Sequence, residues 1–201
     1  MLSFDLRQSC DLPVQLSTKN VYILIHTYLP TMIRIVTAAK GTVVGLRGDG
    51  AIAMFGVIKH HEDEHRTVSP TEANIAVRSA CGCGGAIVEA MKKVVNPLLL
   101  ESNIIPSGFS LEVGVGIDVG EFVATNIGLG TAHELTAYGP CVNTACKRAG
   151  QGKNQIVHTA AARKMYPVSA NGTTKFKKHP TKRDVIFIVY PEAYSPFKLQ
   201  I

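Results

Sequence analysis

Apolar and polar residues alternate along the chain in patterns that predict short strands and longer helices. Residues 2–6 (LSFDL) form an apolar run with one acid inside it, which predicts a buried strand. The segment 17–41 predicts a helix that ends at Gly41. Its apolar residues recur close to the helical period: Leu24, Tyr28, Met32, Ile35 and Val36. Pro30 lies inside this segment and is expected to kink or interrupt the helix.

Two hairpins are predicted from the alternation further along. Residues 42–46 and 51–55 flank a Gly-Asp-Gly, a short-range hairpin signal that would lift the carboxylate of Asp49 to the tip of the turn. Residues 110–128 alternate in the same way, and we expect a second hairpin with its turn near residues 118–120.

Helix signals fill most of the remaining chain. Ser69–Glu72 (SPTE) combines a capping box with a proline at the first helical position, so a helix should begin there. We expect it to run to about Val95 and to stop at Asn96-Pro97. Three more patterns follow: short helices at 141–150 and 159–166, and a final strand pair around 173–178 and 183–191. This order predicts one α+β domain over residues 1–201, with helices packed against a mainly antiparallel sheet.

Composition and net charge limit the classes of ligand and partner that the chain could bind, without identifying one. The chain has 201 residues, 46% hydrophobic and 18% charged, and a net charge of +6, which favours anionic ligands such as nucleotides, nucleic acid or a membrane surface. Many basic residues lie late, in 175–183 (KFKKHPTKR), which also fits a solvated loop. Exposed strands lack the interleaved aromatic residues that stacking on bases requires, which disfavours nucleic-acid binding.

Targeting signals and cysteines predict a cytoplasmic protein without membrane contact. Asp5 and Arg7 interrupt the first ten residues, which form no secretory signal. The apolar segment 21–36 is broken by polar residues and a proline, and it is too short for a bilayer span. Five cysteines, an odd count, are expected to be free thiols in a reducing compartment.

Two segments look like metal sites but fit other structures better. Cys81–Cys83 (CGC) lacks the spacing of a zinc site and reads as small residues on a helix. The contiguous residues His60–His65 (HHEDEH) lack helical ligand spacing and read as an exposed loop.

Two aspartates give the strongest chemical signal. Asp49 fits either turn chemistry or a metal site, and Asp5 lies near the end of the first predicted strand. In a β-α-β-β unit that strand lies beside the hairpin, so the two carboxylates can converge. They would repel each other unless a cation compensates them. Mg²⁺ takes one or two carboxylates and leaves its other positions to phosphate and water, and two such ions serve in-line attack on a phosphate.

Four motifs together resemble the catalytic domains of class III nucleotidyl cyclases. FDLRQS (4–9) and RGDGAIAMFG (47–56) look like the two metal-binding motifs of that family. VGIDVGEFVATNIG (115–128) is similar to its GIHxGxxxxGNIG hairpin, and YGPCVNTACKR (138–148) resembles its xGDxVNxAxR helix start. The four motifs occur in order and cover nearly the whole chain.

This resemblance implies a fold, a reaction and a set of ligands. The fold would be ferredoxin-like βαββαβ, and a head-to-tail homodimer would form two interfacial active sites. Each site would convert a nucleoside triphosphate to a 3′,5′-cyclic nucleotide and pyrophosphate. Asp5 and Asp49, with the carbonyl of Leu6, would hold two Mg²⁺ or Mn²⁺ ions. Backbone N–H groups would cradle the β- and γ-phosphates at four residues: Arg7, Gln8, Ser9 and Cys10.

The second half of each site would come from the partner chain. Asn143 matches the asparagine that orients the ribose, although an asparagine there could instead cap the helix. Lys147 stands where the family has a transition-state arginine, and a lysine cannot make the planar bidentate contact, so Arg148 could substitute. The triphosphate lysine near the end of the chain could be Lys177 or Lys178.

The base-reading positions differ from those of the purine cyclases. Gly45 and Thr136 occupy them, and Arg47 and Tyr138 are near enough in sequence to reach the base. A cyclase domain of this kind resembles the pyrimidine cyclases of bacterial anti-phage Pycsar systems, whose cyclic UMP or cyclic CMP triggers a separate effector. We therefore expect UTP as substrate and cyclic UMP as product. Adenylate cyclase activity, a degenerate nucleotide-binding domain without turnover and a nucleic-acid-binding domain remain alternatives.

Overall fold

The computed structural model describes residues 1–56, 68–166 and 174–189. In this part of the chain the strands are β1 (Leu2–Leu6), β2 (Thr42–Arg47), β3 (Gly50–Met54), β4 (Val113–Ile117), β5 (Val123–Leu129), β6 (Ala132–Tyr138), β7 (Gln155–His158), β8 (Lys175–Lys178) and β9 (Ile186–Val189). The α-helices are α1 (Leu12–Gln15), α2 (Thr18–Ala38), α3 (Pro70–Ala90), α4 (Asn96–Glu101), α5 (Pro140–Ala149) and α6 (Ala160–Met165).

Seven of these strands form one sheet in the order β2-β3-β1-β4-β7-β9-β8. All neighbouring strands in it are antiparallel except β4 and β7, which are parallel. The remaining strands, β5 and β6, form a separate antiparallel pair. The predicted α+β fold with a mainly antiparallel sheet and flanking helices is confirmed.

Alternating side chains divide the sheet into two faces. Phe4 of β1 and Val115 of β4 pack in a core that also includes α2 and α3. On the opposite face, Ile52 of β3 packs with Val142 and Ala145 of α5. Because Asp5 follows Phe4 in β1, its side chain lies on the face that α5 covers.

Two glycines of β4 let α5 lie directly on the sheet. A Cβ at Gly114 would come within 2.0 Å of the Ala149 carbonyl oxygen, and a Cβ at Gly116 within 2.0 Å of the Ala145 carbonyl oxygen. Any side chain at these positions would push the helix away from the strand. The glycines therefore fix the height of α5 above the sheet.

The predicted long helix is confirmed, but Pro30 does not interrupt it. α2 runs unbroken from Thr18 to Ala38, and Ser17 caps it by accepting the N–H of Asn20. All five apolar residues of the predicted stripe are buried, two before Pro30 and three after it. Burial on both sides anchors the two halves to one core, which offsets the hydrogen bond that the proline removes.

Among the described helices, α2 alone is long and apolar enough to cross a membrane, a test that core helices of soluble proteins also pass. Its 21 residues exceed the segment 21–36 that the sequence suggested as too short for a span. In this structure its buried residues belong to the core shared with α3 and β1. One side of α2 is therefore packed against the rest of the fold, with 28% of its apolar window buried.

The capping box of α3 is confirmed, whereas its predicted stop is wrong. The Ser69 hydroxyl accepts the N–H of Glu72, and the Glu72 carboxylate accepts the N–H of Ser69. At its end the chain continues through a π-helical turn at Met91–Val95 into α4, with Pro97 in the first turn. The N–H of Asn96 donates to the Met91 carbonyl, so a wider turn absorbs the proline.

Cys81 and Cys83 are buried small residues within α3, as predicted, and burial raises the pKa of each thiol to about 12. Both are free thiols, like the other three cysteines. Residues 60–65, predicted as an exposed loop, lie outside the described residues.

The second predicted hairpin is wrong. β4 is a fully buried central strand, and β5 pairs instead with β6 through a turn at Gly130, whose φ is +62°. β4 has both faces covered, so it belongs in the middle of the large sheet, whereas β5 is largely exposed. β6 and the four-residue β7 were missed because neither carries a long alternating pattern.

Candidate functional site

β1 and the β2–β3 turn bring the two predicted metal aspartates together. Asp5 pairs with Gly50, the residue directly after Asp49. A Cβ at Gly50 would lie 2.3 Å from the Phe4 carbonyl oxygen, so only glycine lets the turn approach β1 this closely. The predicted convergence of Asp5 and Asp49 is therefore present in the fold.

Burial and charged neighbours have opposing effects on this aspartate pair. Burial and the neighbouring charge of Asp49 raise the pKa of Asp5, and Arg7 acts in the opposite direction. Asp49 Oδ2 is buried and accepts no hydrogen bond from any described residue. A buried carboxylate oxygen without a donor is costly unless a cation binds it.

These two carboxylates fit a divalent cation. Carboxylate oxygens are the ligands that Mg²⁺ prefers, and the Asp49 oxygen has no competing donor in the described chain. Leu6, the third predicted ligand, ends β1 one residue after Asp5. Arg7 forms an ion pair with Asp5 and also donates to the Gly150 carbonyl at 2.9 Å, which links β1 to the end of α5.

The predicted phosphate cradle lies where β1 turns into the first helices. Gln8 has a left-handed backbone with φ 57°, and Ser9–Asp11 form a 3₁₀ turn. The backbone N–H of Arg7 donates to the Glu112 carbonyl at 2.8 Å and is therefore engaged within the fold. Gln8, Ser9 and Cys10 remain as candidates for backbone contacts to a phosphate.

α5 presents Asn143 on its exposed side and does not use it as a cap. The N-cap residue is Gly139, and the N–H of Asn143 donates to the Gly139 carbonyl. The capping alternative for Asn143 is therefore wrong. Lys147 lies one turn further along the same exposed face, since residues four apart are neighbours on a helix.

Arg148 and Lys147 have different environments. The Arg148 guanidinium donates to Asp184 at 2.6 Å and to Gln151 at 3.2 Å, and its side chain is only 14% exposed. Lys147 is exposed and has no ion-pair partner in the described part of the chain. This arrangement favours Lys147 as the cation that can reach a ligand, because Arg148 would first have to leave Asp184.

Strand alternation places the two candidate triphosphate lysines, Lys177 and Lys178, on opposite sides of β8. Phe176 of β8 packs edge-on against Tyr166 and His158, on the face that carries the α2–α3 core. Lys178 lies on this same side of β8, whereas Lys177 lies on the opposite face of the sheet, the face on which α5 packs against β1 and β4. The geometry favours Lys177.

The candidate base-reading residues lie on β2 and β6. Gly45 and Arg47 pair with Ile52 and Gly50 of β3. Thr136 and Tyr138 lie on one side of β6, because they are two residues apart.

A fifth residue, missed in the sequence, connects the two strands. Glu134 Oε1 accepts the N–H of Leu46 at 3.2 Å and lies 4.0 Å from the Cβ position of Gly45. Glu134 lies two residues before Thr136, so predicting β6 as a strand would have placed both side chains on the same side of it.

The predicted metal residues and the predicted nucleotide-binding residues lie at different places around α5. Asp5 lies on the sheet under α5, whereas Asn143 and Lys147 lie on the side of α5 turned away from its buried residues. This placement is compatible with the predicted site shared between two copies of the chain.

Comparison with known proteins places the fold. No family model matches the chain, and a search of curated proteins gives no match. Among solved structures, the guanylyl cyclase Cya2 is 24% identical with a TM-score of 0.69, and the match covers 96% of this chain and 92% of that one. The adenylyl cyclase CyaB from P. aeruginosa is 20% identical with a TM-score of 0.74, covering 96% and 93%.

A third structure, the guanylate cyclase domain of RhGC from Catenaria anguillulae in complex with GTP, is 16% identical with a TM-score of 0.63, covering 93% and 92%. At these identities the likeness concerns the fold. This chain has the fold of a class III nucleotidyl cyclase catalytic domain.

Proposed function

We propose that this chain is a nucleotidyl cyclase that converts a nucleoside triphosphate to a 3′,5′-cyclic nucleotide and pyrophosphate. The observation that carries the proposal is the Asp5–Asp49 pair, in which a buried carboxylate oxygen has no donor among the described residues. The fold supports it, since solved structures named as adenylyl and guanylyl cyclases share it.

The first half-site would hold metal and phosphates. Asp5, Asp49 and the Leu6 carbonyl would hold two Mg²⁺ or Mn²⁺ ions. When bound, such ions lower the pKa of an attacking hydroxyl and neutralise charge on the phosphates. The N–H groups of Gln8, Ser9 and Cys10 would bind the β- and γ-phosphates. Arg7 pairs with Asp5, so a metal bound by Asp5 would compete with that ion pair.

The second half-site, from the partner of a head-to-tail homodimer, would orient the nucleotide. Asn143 would bind the ribose, and Lys177 the triphosphate. The 3′-oxygen loses its proton and attacks the α-phosphorus, the bond to the bridging oxygen breaks, and pyrophosphate leaves. Lys147 would stabilise the negative charge that builds up on the α-phosphate in this transition state.

The substrate would be a pyrimidine nucleotide, with UTP expected from the sequence. Gly45 offers no side chain for a purine-specific contact, Arg47 lies two residues further along β2, and Thr136 and Tyr138 lie on β6. The product would act in the cytoplasm as a second messenger in bacterial anti-phage defence, read by a separate effector. Neither nucleic acid nor a membrane would be a partner.

A competition experiment tests the reaction and the substrate together. The purified chain is incubated with Mn²⁺ and equal ATP, GTP, CTP and UTP, and cyclic products are identified by mass. A cyclic pyrimidine is expected, and Asp49→Ala should give none. Cyclic AMP as the product would support the cyclase reaction and refute the pyrimidine substrate. No cyclic product from any of the four would refute the cyclase and favour nucleotide binding without turnover.

A further inference from the structure

A glutamate from β6 lies beside the position where Gly45 of β2 has no side chain. Glu134 Oε1 lies 4.0 Å from the position that a Cβ at Gly45 would take, and it accepts the N–H of Leu46 at 3.2 Å. Glu134 and Thr136 share one side of β6, since they are two residues apart. The β5–β6 hairpin therefore brings a carboxylate to the group of residues proposed to read the base.

The two oxygens of this carboxylate are not equivalent. Oε1 is held by a backbone N–H, whereas Oε2 has no hydrogen-bond or ion-pair partner in the described part of the chain. Glu134 is exposed, so Oε2 is available to a ligand. An ionised carboxylate only accepts hydrogen bonds, and Oε2 therefore selects a ligand that presents an N–H or O–H.

We propose that Glu134 is a specificity-determining residue that accepts the exocyclic amino group of the base, so that CTP rather than UTP is the preferred pyrimidine. Cytosine presents its N4 amino group as a donor, and glutamate is a suitable acceptor for it. Beside that group lies the acceptor N3, which the Thr136 hydroxyl is able to satisfy as a donor. The inference rests on the proposed function and changes its expected pyrimidine.

Uracil is disfavoured by the same carboxylate. At the position of the cytosine amino group uracil carries the carbonyl O4, which only accepts hydrogen bonds. Its approach would place a lone pair against Oε2 and remove water from both groups without forming a bond. A polar group that a bound ligand covers without pairing is what allows a site to reject such an analogue.

Glu134→Gln separates base reading from a structural role. Glutamine keeps a carbonyl oxygen for the Leu46 N–H, so a residue that only joined β6 to β2 would be little affected. It replaces Oε2 with an amide NH₂, which donates to uracil O4 and repels the cytosine amino group. Glu101→Gln is a matched control, because Glu101 is an exposed carboxylate at the end of α4.

Binding of 3′-deoxy-CTP and 3′-deoxy-UTP with Mn²⁺, measured by calorimetry, is the direct test. Neither analogue has the 3′-hydroxyl that cyclisation needs, so the measurement does not depend on turnover. We expect the unmodified chain and Glu101→Gln to bind the cytidine analogue about tenfold more tightly. Glu134→Gln should lose or invert that preference with an unchanged melting temperature.

Three results would overturn the inference: equal or tighter binding of the uridine analogue, an unchanged preference in Glu134→Gln, or no binding of either analogue. A parallel assay for cyclic CMP from CTP tests the proposed reaction separately. A binding preference without cyclic product would refute the cyclase while supporting Glu134 as the base-reading residue. Cyclic product without a preference would refute only the role of Glu134.

Discussion

At the scale of single residues, the site is governed by opposing effects on the carboxyl of Asp5. Burial and the charge of Asp49 raise its pKa, and the Arg7 guanidinium lowers it. Because the folded-state pKa lies above that of the unfolded chain, the folded protein binds this proton more tightly. The contribution of Asp5 to stability therefore falls as the pH rises from about 4 through its folded pKa.

Asp49→Asn should stabilise the metal-free protein at neutral pH, because it removes the like charge that Asp5 faces. We expect the Tm to rise by about 2 °C at pH 7 and the gain to shrink at acid pH, where the Asp5 carboxyl, whose pKa burial and the Asp49 charge raise, loses its negative charge. Thermal melts at several pH values, with Glu101→Gln as control, measure this. A lower Tm at pH 7 would contradict it.

The same variant should lose its stabilisation by Mn²⁺. An ion that binds only the folded state raises the Tm in proportion to its affinity, and Asn offers a weaker ligand than a carboxylate. Melts with and without millimolar Mn²⁺ test this directly. A Tm increase equal to that of the unmodified chain would remove Asp49 from the metal site.

Lys147 and Arg148 should respond differently to alanine. Lys147→Ala is expected to lower kcat by about a hundredfold with little change in KM, because its charge would act in the transition state. Arg148→Ala should instead reduce the free energy of unfolding by about 1 kcal/mol, since it releases the ion pair with Asp184. Steady-state kinetics and urea unfolding distinguish the two variants. A loss of kcat in Arg148→Ala together with a loss of stability in Lys147→Ala would assign the transition-state role to Arg148.

At the scale of elements, the contact between α5 and β4 sets the site. The helix rests on backbone at Gly114 and Gly116, and its buried residues pack on β3 from the same side. The helix that carries Asn143 and Lys147 is therefore positioned by the sheet that carries Asp5. The link is reinforced where Arg7 contacts both Asp5 and the Gly150 carbonyl.

Gly116→Ala should displace α5 and destabilise the domain by about 2 kcal/mol, because its Cβ would overlap backbone that cannot move independently. Gly150→Ala is the matched control at the end of the same helix. Its φ is −62° and the nearest atom to an added Cβ is 3.5 Å away, so it should be nearly neutral. Urea unfolding of both variants measures the difference, and equal midpoints would refute the close-contact argument.

At the scale of the whole molecule, the proposed site draws on two copies of the chain. In the proposed head-to-tail homodimer, the aspartates on the sheet of one copy would meet the asparagine on the outer side of α5 of the other, which would give two equivalent sites. The exposed apolar residues of the β5–β6 hairpin, such as Val123, Ile127 and Leu129, provide surface for such pairing.

Two inactive variants should therefore restore activity when mixed. Asp49→Ala lacks one half of the site and Asn143→Ala the other, so each homodimer is expected to be inactive. In an equal mixture half of the dimers are mixed, and each contains one intact site, which predicts about a quarter of the unmodified activity. Turnover after mixing and re-equilibration measures this, and activity no higher than that of either variant alone would contradict the shared site.

The sequence by itself determined the elements with strong periodicity and indicated which two aspartates converge. The buried stripe of α2, the capping box of α3, the β2–β3 hairpin and the start of α5 are encoded locally, by spacing and by turn and cap chemistry. Asp5 and Asp49 were identified in the same way, because a β-α-β-β unit places the first strand beside the hairpin.

Only the tertiary structure decided which strands pair and which side chains are free. β4 and β5 alternate similarly, and burial on both faces, not local sequence, assigns β4 to the centre of the sheet. Arg148 is distinguished from Lys147 by Asp184, which is distant in sequence, and Glu134 reaches Gly45 from another strand. These contacts depend on long-range packing, which periodicity within one segment does not encode.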